Sequence, residues 1–267
     1  MSTPYASAAP YYARYRPPYP AEFYELLADR FALDGSQTVL DLGAGPGPVT
    51  LALAPLADQV YAVDPEPAML AEGSRLAEER SLANTSWLVG DAAGIGRLCL
   101  PRIDLCVIGR AFHLMDRDRV PADLDGVLAP RGAIVLVDSV PRPGVPRPSW
   151  AAVAEEVSAR FLGTGPGGAD EWDDADRSGE PQDAEDHLAK SPFSRVETVT
   201  WDQTLRHTVD QVIGLRFSCP SSGPALFGDR RAAFESELRQ ALLDHDPGGV
   251  YSRTLRVRAA IATRRRP

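Results

Sequence analysis

The stretch 38–50, TVLDLGAGPGPVT, decides the fold. Thr38 to Leu42 is a short apolar run of the length of a buried strand. Gly43, Gly45 and Gly47 then place three flexible residues in a five-residue turn, where a backbone must bend tightly or admit a ligand. Leu51, Leu53 and Leu56 continue as an apolar helix. Strand, glycine turn and helix in that order open a parallel βαβ unit.

Reading outward, the pattern repeats. Val60–Val63 is a second strand ending at Asp64, followed by a helix carrying Met69, Leu70 and Leu76. Ser86–Gly90 is a third strand ending at Asp91, and Asp104–Ile108 a fourth ending near Gly109 and Arg110. A helix from Val120 to Leu128 precedes a fifth strand, Ala133–Val137. Strands alternating with helices at this spacing predict an α/β fold, a doubly wound, mostly parallel sheet. Upstream, Pro17, Pro18 and Pro20 exclude a helix interior from Tyr11 to Pro20, and a helix is expected from Pro20 to about Arg30.

Beyond Pro141 the pattern changes. Pro141, Pro143, Pro146 and Pro148 form a stiff connector before a helix from Trp150 to about Leu162. Residues 163–181 are acidic and poor in apolar groups, the composition of a loop. A short helix at Asp183–Lys190 leads to a strand at Val196–Trp201. Helices are expected at Val209–Phe217 and Leu226–Leu243, and a last strand at Tyr251–Thr263. The expected whole is seven strands, with a helical cap inserted after strand five and between the last two strands. Its divisions are 1–34 (N-terminal segment and helix), 35–140 (cofactor-binding core), 141–192 (cap insertion with the acidic loop) and 193–267 (last two strands with cap helices).

Composition narrows the function classes. A chain of 267 residues, 44% apolar, supports a substantial core. The net charge of −9, with Arg264–Arg266 as the one basic cluster, argues against nucleic acid or an anionic membrane as partner. No apolar stretch approaches the ~20 residues that span a bilayer, and Met1–Pro10 lacks the charged and apolar regions of a secretory signal. Cys99, Cys106 and Cys219 read as reduced thiols. A cytoplasmic protein is expected. No spacing among its histidines and cysteines suggests a metal site. Oligomeric state is not legible.

In an open α/β sheet, ligands bind outside the carboxyl ends of the strands. Here those ends carry Asp41-Leu42-Gly43, Asp64, Asp91 and Gly109-Arg110. Asp64, 23 positions after Asp41, can accept both ribose hydroxyls of an adenosine. Asp91 can accept from the adenine amino group. A dinucleotide fingerprint would require a third glycine where Pro48 stands, and Asp41 is a poor neighbour for a pyrophosphate. It suits an ammonium group, directly or through water. It can also satisfy N–H groups of its own loop, and both uses are compatible. Asp64 could alternatively cap the following helix.

These residues resemble the class I S-adenosylmethionine (SAM)-dependent methyltransferases, the type-11-like small-molecule group, over Tyr12 to about Val137. The resemblance implies a Rossmann-like fold, SAM as cofactor and S-adenosyl-L-homocysteine (SAH) as product. It implies a cofactor site of Asp41, Gly43, Ala44, Gly45, Asp64, Pro65, Met69, Asp91, Ala92, Arg110 and Ala111. Tyr12 and Arg16, in YARYRPPYP, match a Tyr and an Arg that lie over the cofactor near its carboxylate. Met69 reads as a packing residue lining the adenine side. His113, just after strand four, is the candidate general base, with an ordinary packed histidine as the other reading. Asp116 would either orient it or cap a helix.

The family works on small molecules, often specialised bacterial metabolites, which makes a small-molecule acceptor and antibiotic or other natural-product biosynthesis the expected setting. The acidic run Asp170, Glu171, Asp173, Asp174 and Asp176 favours a cationic, amino-sugar type acceptor. O- or C-methylation of a neutral or aromatic natural product, such as a hydroxyl acceptor, comes next. A protein that binds SAM without moving its methyl group, and a nicotinamide-dependent oxidoreductase, are the readings from other classes.

Overall fold

The computed structural model describes residues 5–163 and 181–265. The acidic run 170–176 lies outside them, as does Arg266. In chain order the elements are α1 (Ala9–Tyr15), α2 (Ala21–Phe31), β1 (Thr38–Leu42), α3 (Pro48–Leu53), β2 (Gln59–Asp64) and α4 (Pro67–Glu79). Then come β3 (Thr85–Val89), β4 (Ile103–Gly109), α5 (Val120–Asp125), β5 (Leu128–Pro141) and α6 (Ser149–Leu162). The last are α7 (Pro181–Ala189), β6 (Arg195–Thr208), α8 (Val209–Phe217), α9 (Arg231–His245) and β7 (Val250–Thr263).

The seven strands form one sheet in the order β3-β2-β1-β4-β5-β7-β6. It is mostly parallel, with one antiparallel hairpin. β1 pairs in parallel with β2 and β4, β2 with β3, and β4 with β5. The order reverses at β1, so the carboxyl ends of β1, β2 and β4 border the switch point where a ligand is expected.

The chain divides into two compact units. The first comprises Pro18–Ser139, Ala175–Trp201 and Val257–Pro267. Its strands alternate between two cores, as a period of two dictates. Leu40, Leu42, Cys106, Ile108, Ile134 and Leu136 pack on one face with α5 and α7 residues Leu124 and Leu188. Val39, Leu105, Val107, Val135 and Val137 pack on the other with Phe23 and Leu27 of α2 and Val49 and Leu53 of α3. Helices on both faces make the sheet doubly wound.

The second unit comprises Met1–Pro17, Val140–Asp174 and Asp202–Arg256. Its core gathers Trp150, Ala154 and Val157 of α6, Val212 and Phe217 of α8, Phe234, Leu238 and Leu242 of α9, and Phe227. The aromatic rings interlock: Phe227 stacks on Phe234 at 4.1 Å, and Phe217 meets Phe227 edge-on at 5.6 Å. Thr208 opens α8 with a capping box, its side chain accepting from Gln211 N while Gln211 returns the bond to Thr208 N.

Several elements differ from the sequence reading. β6, expected at Val196–Trp201, runs on to Thr208, and β5, expected at Ala133–Val137, spans Leu128–Pro141. α1 was not expected. It fits because its Pro10 lies in the first turn, where a missing N–H costs nothing, and it ends at Tyr15, before Pro17. α5 stops at Asp125 and β5 begins at Leu128, since Leu128 packs in the strand core rather than completing a helical stripe. The helix expected from Leu226 starts at Arg231. Pro224 and Gly228 sit in a run of single 3-10 turns, Pro220–Ser222, Pro224–Leu226 and Gly228–Arg230. Among the described residues no helix is long and apolar enough to cross a membrane.

Candidate cofactor site

The turn after β1 is built on one carbonyl. Val63 O accepts from both Gly43 N (2.8 Å) and Ala44 N (3.0 Å), which folds the turn across the end of β2. Gly45 N then donates to Asp64 Oδ2 at 2.8 Å, and Glu66 N to Asp64 Oδ1 at 2.9 Å. The two backbone donors fix the carboxylate's orientation. Each oxygen keeps a further lone pair for an incoming hydroxyl. Burial pushes the Asp64 carboxyl up, against those two bonds. Gly90 N donates to Asp64 O at 3.1 Å, which sets the turn after β3 beside it.

Gly43, Gly45 and Gly47 all have positive φ, at 75°, 55° and 76°. For Gly43 a second constraint comes from far along the chain. A Cβ there would stand 2.4 Å from the Cβ of Ala111, in the turn after β4. Gly47 is constrained by Trp87 of β3, whose ring would stand 2.3 Å from an added Cβ. The glycine turn is therefore wedged between the Ala111 methyl after β4 and the Trp87 ring of β3.

Asp41 is buried, 1% exposed, on the strand face it shares with Val39. Its Oδ2 accepts from Thr50 N (3.0 Å) and Thr50 Oγ1 (2.7 Å), which ties β1 to the first turns of α3. Burial raises its carboxyl to about 7. Asp91 is exposed; its Oδ1 accepts from Gly94 N at 2.7 Å and caps the 3-10 turn Ala92–Arg97, where Ala92 is buried. Pro65 is exposed, and Met69, in the first turn of α4, is buried.

Arg110 follows β4 in the left-handed region, with φ 53°. Its guanidinium lies 4.6 Å over the Tyr19 ring, and its Nε donates to Ser139 Oγ at 3.1 Å. His113 is half-buried on the 3-10 turn Phe112–Leu114. Asp116 Oδ1 accepts from Arg119 N at 3.2 Å, so it caps its own turn. Gly43, Ala44, Gly45, Asp64, Pro65, Asp91, Ala92, Arg110 and Ala111 thus all lie on the strand-end turns of the first unit. Tyr12 and Arg16 belong to the second. There the Arg16 guanidinium lies 5.1 Å over the Tyr12 ring, and its Nη2 donates to Cys219 Sγ at 3.4 Å.

Sequence reasoning missed Thr50, Tyr19, Trp87 and Ser139. Thr50 was detectable in principle: it is the hydroxyl residue in the first turn after the glycine loop, nine positions beyond Asp41. The other three act through contacts between strands and carry no local signal. Among the described residues no group of three or more metal-ligating side chains occurs.

Residues 39–132 match the model of the methyltransferase domain family. The fold and this match are those of a methyltransferase domain over residues 39–132, and support the resemblance to class I SAM-dependent methyltransferases. An uncharacterized methyltransferase of Mycobacterium bovis is 36% identical over 137 residues, 51% of this chain and 52% of that one. One of Schizosaccharomyces pombe is 30% identical over 153 residues, 57% of each chain. The chain spans about half the length of the curated relatives it matches. The crystal structure of the YcgJ protein of Bacillus subtilis shares the fold, with a TM-score of 0.57 at 17% identity, covering 93% of this chain and 100% of that one.

Proposed function

We propose that the protein transfers a methyl group from SAM to a nitrogen or oxygen atom of a small-molecule acceptor. The observation that carries this reading is the single carbonyl, Val63 O, that folds the glycine turn onto Asp64. It presents a backbone-oriented carboxylate beside a turn with no side chain at Gly43 or Gly45. Asp64 accepts the two ribose hydroxyls, the glycines let the backbone approach, and Asp91 accepts from the adenine amino group through the oxygen that does not cap its turn. Bound SAM supplies an electrophilic methyl group on a sulfonium. The chain's own task is alignment and exclusion of water. His113 takes the proton from an oxygen acceptor or a protonated amine. A neutral amine needs positioning alone.

The acceptor proposed first is a cationic, amino-sugar type metabolite. It is supported by the acidic run 170–176 and the net charge of −9. The test is a calorimetric titration with SAM, followed by mass spectrometry after incubation with SAM and a panel of amino sugars and phenols. SAM binding with an amino sugar gaining one methylene supports both parts. A phenol gaining it overturns the acceptor and keeps the transfer. Absence of SAM binding overturns the reading.

A further inference from the structure

The connector between β5 and α6 carries four prolines in eight residues, Pro141 to Pro148, which fix its backbone. Gly144, at φ 79°, lets the segment turn, and Val145 N closes the turn on Arg142 O at 3.1 Å. Arg142 N donates to Thr254 O of β7 at 3.1 Å, and the Trp150 indole of α6 donates to Ser252 O at 3.0 Å. Connector, helix and strand are thus tied around an open pocket of about 470 Å³, which lies wholly within the second unit. Small-ligand sites run from ~300 to 1,000 Å³.

Most of its wall is apolar: Pro146 and Pro148 from the connector, Trp150 from α6 and Leu255 from β7. Val145, also in the lining, is left 36% exposed, apolar surface that a bound molecule would cover. The charged residues of the lining are Arg147 and Arg253. Among the described residues no acid joins them in it, although the chain's net charge is −9. Arg147 is exposed and pairs with Glu155 at 3.0 Å; Arg253 is half-buried. His207, beside the Trp150 ring, is kept neutral by burial and by the charge of Arg253, so the cations of this corner are guanidiniums. Thr254 Oγ1 already meets Thr204 Oγ1 at 3.0 Å.

A planar guanidinium matches a carboxylate, with two parallel N–H···O bonds from one fork. A phosphate ester would need further donors for its remaining oxygens, and a cation would meet like charge. A flat apolar body suits the tryptophan and proline wall, and a wall fixed by prolines loses little freedom on binding. We propose that this pocket binds a small aromatic carboxylic acid, its carboxylate on Arg253 and its ring against Trp150 and the prolines. The ligand is opposite in charge to the amino-sugar acceptor proposed above, and the site stands independently of the cofactor reading.

The test uses the whole chain, labelled with nitrogen-15, and naphthoate as the probe. Naphthoate should shift the Trp150 indole N–H resonance, assigned by its loss in Trp150→Phe. It should bind at least about tenfold more tightly than naphthalenemethanol, which keeps the ring and lacks the charge. Naphthylmethylamine should leave that resonance in place. Arg253→Gln should weaken naphthoate by about tenfold or more and leave the alcohol's affinity alone, while Arg147→Gln should cost less. Equal affinity for acid and alcohol in the parent chain would reduce the pocket to an apolar cleft and overturn the carboxylate assignment, whether or not Arg253→Gln folds. A Trp150 resonance unmoved by millimolar naphthoate overturns the site itself. Full naphthoate affinity in folded Arg253→Gln overturns the anchor.

Discussion

In the unit built from Pro18–Ser139, Ala175–Trp201 and Val257–Pro267, the strand ends are held by short polar contacts to named backbone atoms. The interior of the unit containing α6, α8 and α9 is held instead by interlocked rings: Tyr11, Phe161, Phe217, Phe227 and Phe234. The first arrangement constrains residue type position by position. An alanine at Gly43 meets Ala111, and only a carboxylate at 64 takes both Gly45 N and Glu66 N. The second constrains volume, and cores tolerate hydrophobic exchange when volume is kept. The family match, 39–132, accordingly falls wholly within the first unit.

The largest effect that tests this contrast is on stability. Phe234 is fully buried and meets Phe161, Phe217 and Phe227. Phe234→Ala should cost about 3–5 kcal/mol of unfolding free energy, read by denaturant titration, while Phe234→Leu should cost far less. Equal losses from both would mean that ring geometry, not volume, holds this core.

Asp64→Ala addresses the other side of the contrast. Hydrogen bonds to a charged group contribute roughly 1.5–3 kcal/mol each, so losing two ribose contacts should weaken SAM binding at least about a hundredfold, with a small change in melting temperature. Near-native affinity would remove Asp64 from the ribose. His113→Ala should lower turnover of an oxygen acceptor by about 10²-fold and leave SAM affinity alone; unchanged turnover would return His113 to a packing role.

The same contrast explains what the sequence disclosed. The strands and acids of the first unit follow from local features: an apolar run, then Gly43, Gly45 and Gly47, then one acid per strand end. β1 spans the residues expected, Thr38–Leu42, and β2 ends at Asp64 as read. Contacts across strands were hidden, because nothing at Ala111 or Trp87 signals that each presses on a glycine 68 or 40 positions earlier. The roles of Tyr12 and Arg16 came from resemblance alone. In the second unit α6 and α8 were legible from length and apolar content, whereas α1 was masked by its tyrosines and prolines. The start of α9 was misplaced because a 3-10 run and a helix share the same apolar residues.

The last effect is electrostatic, and one titrating group lies in each unit. Asp41 sits near 7 when folded, above its usual value of 3.8. The folded protein therefore binds more protons than the unfolded chain across that window, and Asp41's contribution to stability is lost as pH rises through 7. His207, on β6 beside the Trp150 ring, is pushed down to about 4 by burial and by the charge of Arg253. The folded protein binds fewer protons there, so its contribution is present above 6.5 and lost as pH falls through 4. The slopes oppose each other between pH 4 and 6.5. Asp41→Asn should leave stability of the ligand-free protein rising with pH over that range, relative to the parent. His207→Leu should leave it falling, each by up to one proton, or about 1.4 kcal/mol per pH unit. Parallel curves for parent and His207→Leu would mean that His207 titrates alike in both states, and the burial of its ring would then carry no electrostatic cost.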